Sequence, residues 1–257
     1  MSITKKHRYH HGDLREALVQ AAVSLITAEG AEGFSLRRVA NLLGVSQSAL
    51  YSHFRDKDDL FAAVAAVGFE RLHQRLQEML AQCPAQVPGE RDIAHRRAAA
   101  LVRGYVGFAL AEPAMFGLMF RTPRGGLGRY PLLSAASADC LALIQSSLVR
   151  CAQPSAASGA DPQQAELRAA AGWAQVHGLA ELLRSQWLEP RLLPATLLDR
   201  LADLLLSTLS APLGAPSSGH ADDAGKQAGR AGDQRAADGG QVSVQTLFDQ
   251  LSATASG

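Results

Sequence analysis

Apolar residues recur every three or four positions along most of the chain, which is the pattern of amphipathic helices. In the first such stretch Leu14, Leu18, Leu25 and Ile26 lie on one face, and Gly30 follows as a stop signal. The pattern is interrupted wherever glycine, proline and serine cluster. It predicts helices over residues 13–28, 36–43, 47–54, from 56 or 58 to 82, 92–111, 114–120, 132–152, 162–187 and 194–209.

Two of these helices, 36–43 and 47–54, are short and joined by a glycine turn, which are the dimensions of a helix-turn-helix. Ala40 is small enough for the two helices to cross closely, and Leu50 faces back toward the small core. Gly44 permits the positive φ that a sharp helix end often needs. An ordinary pair of core helices with a glycine C-cap is the alternative interpretation of the same spacing.

The composition favours helices over strands. Aromatic residues make up 5% of the chain, and no long run is rich in Val, Ile and Thr, so we expect an all-α protein. The longest apolar-rich stretch, 61–69, is too short to span a membrane, and the basic N-terminal residues lack the apolar segment of a secretory signal. Cys83, Cys140 and Cys151 show no ligand spacing. We therefore expect a cytoplasmic protein with reduced thiols, no membrane association and no cofactor.

Positive charge is concentrated at the N-terminal end, although the formal net charge of the whole chain is +1. Residues 1–57 hold eight Lys and Arg against five Asp and Glu, which gives +3. A basic N-terminal unit on a neutral body indicates an anion-binding head. The same unit contains His7, His10 and His11, but no carboxylate or thiolate stands at a matching spacing, so we expect no metal site there.

One stretch is specific enough to identify a family. The run FSLRRVANLLGVSQSALYSHFRDKDDLF, from Phe34 to Phe61, closely resembles the DNA-binding head of the tetracycline-repressor (TetR/AcrR) family of transcriptional regulators. The segments Arg8–Leu18, Glu112–Phe120 and Trp173–Leu183 resemble members with the so-called WHG-type C-terminal domain. That domain is named for positions that here are Trp173, His177 and Gly178. The resemblance implies a ligand-responsive homodimer whose heads bind a near-palindromic operator.

The resemblance also implies which residues contact DNA. Gln47 is the expected base reader, because its amide can bond to adenine N6 and N7 in the major groove, with Ser48 and Ala49 beside it. Tyr51, His53 and Lys57 match phosphate-contacting positions of the family. The full predicted set is Ser35, Arg37, Arg38, Ser46, Gln47, Ser48, Ala49, Tyr51, His53 and Lys57. Ser35 is equally well explained as a helix cap, and Arg37 and Arg38 as solvated surface residues. For Gln47, a solvated helix residue is the alternative to a base reader.

In the body, a set of apolar and aromatic residues is a candidate lining for a ligand cavity, and a packed core is the alternative. These residues are Phe108, Met115, Phe116, Met119, Phe120, Trp173 and His177. The neutral charge of this region favours a small, mostly apolar effector. The last two body helices carry dimerisation in related folds, and here a broad apolar stripe predicts the same role, formed by Leu197, Leu198, Leu201, Leu204, Leu205 and Leu209.

The expected organisation is a basic mobile arm (1–11), a helix-turn-helix domain (12–58), a helical ligand-binding and dimerisation domain (59–212) and a low-complexity, disordered tail (213–257). The expected function is a cytoplasmic, homodimeric transcriptional regulator that represses from a double-stranded DNA operator. A DNA-binding activator, or a non-inducible protein with a filled core, is the alternative. An enzyme is not expected, because no nucleophile–base pair, phosphate loop or metal spacing is present.

Overall fold

The computed structural model describes residues 13–31, 34–83, 90–121, 124–152, 162–188 and 197–210. Within those ranges the regular elements are all helical, which confirms the all-α prediction. The α-helices are α1 (Asp13–Glu29), α2 (Leu36–Leu43), α3 (Gln47–Tyr51), α4 (Lys57–Ala81), α5 (Glu90–Ala111), α6 (Pro113–Met119), α7 (Pro131–Ala152), α8 (Pro162–Arg184) and α9 (Leu197–Ser210). A single 3₁₀ turn, Leu127–Arg129, precedes α7. The predicted arm (1–11) and tail (213–257) lie outside the described residues.

Two helices end earlier than the periodicity predicts, each for a local reason. Helix α3 stops at Tyr51 rather than at residue 54, and the backbone N–H groups of His53 and Phe54 both donate to Leu50 O. This turn brings the Phe54 ring into the core, where it is 1% exposed. Helix α8 ends at Arg184 rather than at 187, and Gln186 has a φ of 62°, which is incompatible with a continued right-handed helix.

Helices α1, α2 and α3 form a small head held by local capping. The Oγ atom of Ser35 accepts a hydrogen bond from Arg38 N, and that of Ser46 accepts one from Ala49 N. Between these caps Gly44 has a φ of 66°, so α2 ends in the left-handed conformation that glycine adopts without steric cost. Ala40 and Leu50 are fully buried between the helices, as the helix-turn-helix interpretation predicts.

Helix α4 joins the head to the body. Its N-cap is Asp56, whose side chain accepts from Asp59 N at 2.8 Å. Its 25 residues contact α1 in the head, and α5, α6 and α7 in the body. Most of its first three turns are buried, including Leu60, Phe61 and Val64. The head and the body therefore share one continuous helix and a continuous core.

Helix α7 is long and apolar enough, by length and composition alone, to cross a membrane, although its apolar residues are interrupted by polar ones. In the structure it packs against α4, α5 and α8 and buries one face of the helix in the core, at Leu133, Cys140, Ile144 and Leu148. A third of this span is buried in the chain's own core.

Helices α8 and α9 approach closely at Gly172. A Cβ atom at this position would lie 2.6 Å from Leu205 Cδ1 and 3.3 Å from Leu209 Cδ2. Both leucines are buried, so neither can move aside without disturbing the core. In contrast, a Cβ at Gly178, six residues later on α8, would meet nothing within 4 Å.

These two glycines make a matched pair of variants. We expect Gly172→Ala to lower the free energy of unfolding by about 1–2 kcal/mol, because overpacking outweighs the gain in helix propensity. Gly178→Ala is expected to raise it by about 0.5–1 kcal/mol, because only the propensity term applies. Urea denaturation at one protein concentration measures both, and equal effects would contradict the close approach at Gly172.

Candidate functional site

The exposed face of α3 carries most of the predicted base-reading residues. Gln47 and Ser48 are exposed, and Tyr51 is 54% exposed one turn further along the same face. Ala49 is half-buried, and the Ser46 hydroxyl lies 2.9 Å from Ser48 Oγ while it caps the helix. Gln47 and Tyr51 are therefore the large polar side chains that α3 presents outward.

Of the predicted DNA-contacting residues at the start of α2, one points into solvent and two bond to other parts of the head. Arg37 is exposed, with no ion-pair partner among the described residues. Arg38 forms a two-armed ion pair with Glu29 of α1. That pairing lowers the pKa of Glu29 and raises the pKa of Arg38, so both stay charged. Ser35 is occupied as the N-cap of α2. Arg38 and Ser35 thus have structural partners, whereas Arg37 projects from the surface.

Lys57 is also engaged within the protein. Its Nζ atom donates to the carbonyl oxygen of Phe34 at 3.1 Å. The same ammonium lies 4.9 Å from the centroid of the Phe61 ring and 5.6 Å from that of Phe34, which is cation–π geometry. Lys57 therefore joins the chain before α2 to the first turn of α4. His53 is half-buried in the turn between α3 and α4.

The structure brings most of the predicted cavity residues together, but as a packed cluster. Phe116 and Phe120 pack against the His177 ring with centroids 5.6 and 4.4 Å away, and Trp173 lies 5.8 Å from it. Phe108 contacts Phe116 and is buried. The two methionines, Met115 and Met119, are buried too, and pack on the backbone of α4 at Gly68.

Sequence analysis missed Tyr105, which lies at the centre of this cluster. Trp173 Nε1 donates to the Tyr105 hydroxyl at 3.3 Å, and that hydroxyl lies 2.9 Å from His177 Nδ1. Since tryptophan can only donate, the tyrosine oxygen accepts from it. The direction of the second bond depends on the tautomer of His177. The signal for Tyr105 was its position three residues before Phe108, on the same face of α5.

Burial keeps this hydrogen-bonded triad neutral. It lowers the pKa of His177, against a smaller opposing effect of Glu181, and it raises the pKa of Tyr105. The space bordered by Tyr105, Trp173 and Val176 measures about 10 Å³, which is room for about one water molecule. Phe108, Met115, Phe116 and Met119 of the predicted ligand-lining set are buried and packed in the core in this conformation.

Exposed apolar side chains are present on α8 and on the described part of α9. Ala202, Leu205 and Leu209 are buried in the chain's own core, although Leu204 is 56% exposed. The side chains of Leu197 and Leu198 lie outside the described residues. The stripe looked too broad for one core face because α9 packs on α5, α7 and α8 at once. On α8, an exposed line of apolar and small residues is formed by Leu167, Ala171, Ala174 and Leu182.

Comparison with known proteins agrees with this geometry. Residues 18–64 match the model described as "Bacterial regulatory proteins, tetR family", and residues 98–209 match "Tetracyclin repressor-like, C-terminal domain". These two models coincide with the head and body of the structure. The WHG subtype stays a prediction, because the body matches a model with a different description.

Curated relatives match mainly through the head. The tetracycline repressor protein class C of Escherichia coli is 47% identical over 51 residues, or 20% of this chain and 23% of the repressor. The HTH-type nicotine-responsive transcriptional repressor HdnoR of Paenarthrobacter nicotinovorans is 36% identical over 87 residues, 33% of this chain and 41% of that protein. The chain thus matches less than half of the length of either relative.

A solved structure matches over both units. A protein of unknown function from Rhodococcus sp. RHA1 superposes with a TM-score of 0.60 at 29% identity, covering 80% of this chain and 97% of that one. The N-terminal family model describes bacterial regulatory proteins, and the curated relatives are transcriptional regulators rather than enzymes. With its capped helix-turn-helix head and its matching helical body, the chain belongs to the TetR family of bacterial regulatory proteins.

Proposed function

We propose that this protein is a cytoplasmic, homodimeric repressor that binds a near-palindromic DNA operator and responds to a small effector. One observation carries the DNA-binding part of the proposal. The short helices α2 and α3 are fixed by the Ser35 and Ser46 caps and by Gly44, and this rigid pair presents Gln47 outward at the start of α3. Recognition helices read bases with their N-terminal residues, which is where Gln47 stands.

We assign three classes of role to the predicted DNA-contacting residues. Gln47 reads a base, with Ser48 and Ala49 close enough to add smaller contacts. Tyr51, His53 and Arg37 contact phosphates, which position the head without reading sequence. The remaining residues of the set shape the head through the contacts described above, namely Ser35, Arg38, Ser46 and Lys57. The head is proposed to span residues 12–58 and the body 59–212.

Dimerisation is proposed to use the exposed apolar line on α8. Leu167 is 60% exposed and Leu182 44% exposed, with Ala171 and Ala174 between them. A symmetric pairing of this face buries the same residues from both copies. It also sets the separation of the two recognition helices, which must be about 34–36 Å to enter successive major grooves.

The effector is proposed to be small and mostly apolar, and to bind at the cluster around His177. Phe116, Phe120 and Trp173 surround the imidazole, whose ring nitrogens can each bond a polar group of a ligand. Because the cluster is filled, a ligand must open it, and the flexible side chains of Met115 and Met119 are suited to repacking. The opened body would then favour a head separation that does not fit DNA.

The first prediction concerns base reading. On a duplex that the protein itself enriches from a random pool, we expect Gln47→Ala to lose about 1–3 kcal/mol of binding free energy, because a bidentate base contact is removed. Its affinity for unrelated DNA stays unchanged, whereas Tyr51→Phe weakens binding to both duplexes. Fluorescence anisotropy measures the affinity of each variant, and of the unmodified protein, for both duplexes. Gln20→Ala, exposed on α1, is the control. A folded protein that binds no DNA at any salt concentration would refute the proposed function.

The second prediction separates a structural lysine from a phosphate-binding arginine. We expect Lys57→Met to lower the free energy of unfolding by about 1–2 kcal/mol, because it loses the Phe34 hydrogen bond and the cation–π contacts. It leaves the slope of log affinity against log salt unchanged. Arg37→Met is expected to do the opposite, reducing the slope by about one with little effect on stability. Thermal denaturation and salt-dependent anisotropy measure the pair. The reverse pattern would make Lys57 the phosphate contact.

The third prediction tests the α8 face. Leu167→Asp is expected to convert the dimer to a monomer in size-exclusion chromatography with light scattering, because a buried unpaired carboxylate opposes association. Leu132→Asp is the matched control, since Leu132 is 59% exposed, against 60% for Leu167, and lies on α7. If both variants keep the mass of the unmodified protein, the interface lies elsewhere.

A further inference from the structure

A second region of the molecule has the size and chemistry of a small-molecule site. It is a cleft of about 440 Å³ between the first turns of α4 and the segment that joins α6 to α7, and we call it the junction cleft. Ligand sites in proteins commonly measure about 300–1,000 Å³. The inner surface of the junction cleft is apolar and is formed by Phe61, Ala62, Ala65, Leu118 and Leu133.

The rim of the junction cleft is charged and carries an excess of cations. Four basic side chains border it, from Lys57, Arg121, Arg124 and Arg129, against the carboxylates of Asp56 and Asp58. The guanidinium of Arg121 lies 5.7 Å from the centroid of the Phe61 ring, directly above the apolar surface. Within the described part of the chain it has no carboxylate partner. A cation next to an apolar wall is the arrangement that holds a carboxylate attached to an apolar group.

The two other arginines already bind carboxylates, but loosely. Arg129 Nη2 lies 3.3 Å from Asp56 Oδ2, and Arg124 Nε lies 3.6 Å from Asp58 Oδ2. The Arg124 side chain is 91% exposed, and exposed ion pairs of this kind contribute little to stability. The carboxylate of a ligand can therefore replace Asp58 at Arg124 with little loss of stability. Asp56 is harder to displace, because it also caps α4.

We propose that the junction cleft binds an amphiphilic organic carboxylate. The apolar part of the ligand lies on Phe61, Ala65 and Leu118, and its carboxylate is held by Arg121 and Arg124. This site differs from the cluster around His177, because it needs no opening of the core. It also takes a charged ligand, whereas the His177 cluster takes an uncharged one.

The location of the junction cleft connects it to the head. Asp56 and Asp58 flank the start of α4, which follows the recognition helix α3 after five residues. A ligand that displaces Asp58 from Arg124 removes an ion pair between the head side and the body side of the cleft. If the protein is the regulator proposed above, this ligand changes operator affinity. That consequence rests on the proposed function, whereas the binding itself does not.

The test uses isothermal titration calorimetry of the full chain without DNA, with three probes. These are 4-phenylbutyrate, its neutral analogue 4-phenylbutanamide, and acetate. We expect 4-phenylbutyrate to bind at least about tenfold more tightly than the amide, because the amide lacks the charge that the arginines pair with. It should also bind more tightly than acetate, which lacks the apolar group. Equal affinity of the acid and the amide, or of the acid and acetate, would overturn the proposal.

Two variants with opposite expected effects locate the binding. Arg121→Gln is expected to weaken 4-phenylbutyrate binding by about tenfold, through loss of a charged hydrogen bond. Asp58→Asn is expected to strengthen it severalfold, because the competing carboxylate is removed. Arg75→Gln is the control, exposed on α4 and about 25 Å along the helix from Asp58. Circular dichroism confirms that each variant is folded, and a ligand bound elsewhere would show no opposite response to the two changes.

The operator measurement is separate from the calorimetry. Anisotropy with the enriched duplex, repeated at saturating 4-phenylbutyrate, is expected to show weaker DNA binding for the unmodified protein and little change for Arg121→Gln. A protein that binds the acid but no DNA would refute only the proposed function. A protein that binds DNA but shows no preference for the acid would refute only the junction cleft.

Discussion

Helix α4 is packed into the head by its first turns and into the body by the rest of its length, and its backbone is continuous between them. Leu60 and Val64 are completely buried near its start, and Leu72 and Leu76 are completely buried further along. Since protein cores are close-packed, neither end of α4 can move without its neighbours. Helix α1 of the head also contacts α6 of the body, so a change in the body can reach the head through α4 or through α6.

The N-terminus of α4 lies next to the proposed DNA-binding surface and is held there by several short contacts. Asp56 caps the helix, and the next residue, Lys57, extends back to the carbonyl oxygen of Phe34, just before α2. Arg55 donates to the carboxylate of Asp59, whose pKa is lowered by that hydrogen bond. Consecutive residues thus fix the turn after α3 to both α2 and α4. The orientation of Gln47 depends on this set of short contacts as much as on the α2–α3 turn itself.

The parts of the fold that the sequence predicts well are those determined by neighbouring residues. Helix α2 begins and ends as predicted, because Ser35 and Gly44 are capping signals within the same ten residues. The end of α3 was misplaced, because it depends on the burial of Phe54 in a core made by other helices. The dimer role of the α9 stripe stays a prediction. Its periodicity indicates an apolar face, but not which helix covers that face.

The candidate sites depend on pairs that are distant in sequence. Tyr105 and His177 are 72 residues apart, and Lys57 and Phe34 are 23 apart. Neither pair has a local pattern, so Tyr105 was missed and the contact of Lys57 with Phe34 was not expected. The arginines of the junction cleft belong to a glycine- and proline-rich connection that predicts only a loop. Their convergence on the start of α4 is a property of the folded chain.

The hydrogen bond between Tyr105 and His177 and the ion pair between Arg124 and Asp58 differ in the free energy that is needed to separate them. Breaking the bond from Tyr105 to His177 leaves buried polar groups unsatisfied, which costs about 1–3 kcal/mol. Separating Arg124 from Asp58 costs about 0–1 kcal/mol, because both groups can return to water. A ligand therefore needs less differential affinity to change the junction than to change the His177 cluster. Of these two contacts, the ion pair at the start of α4 is therefore the easier one for a ligand to displace.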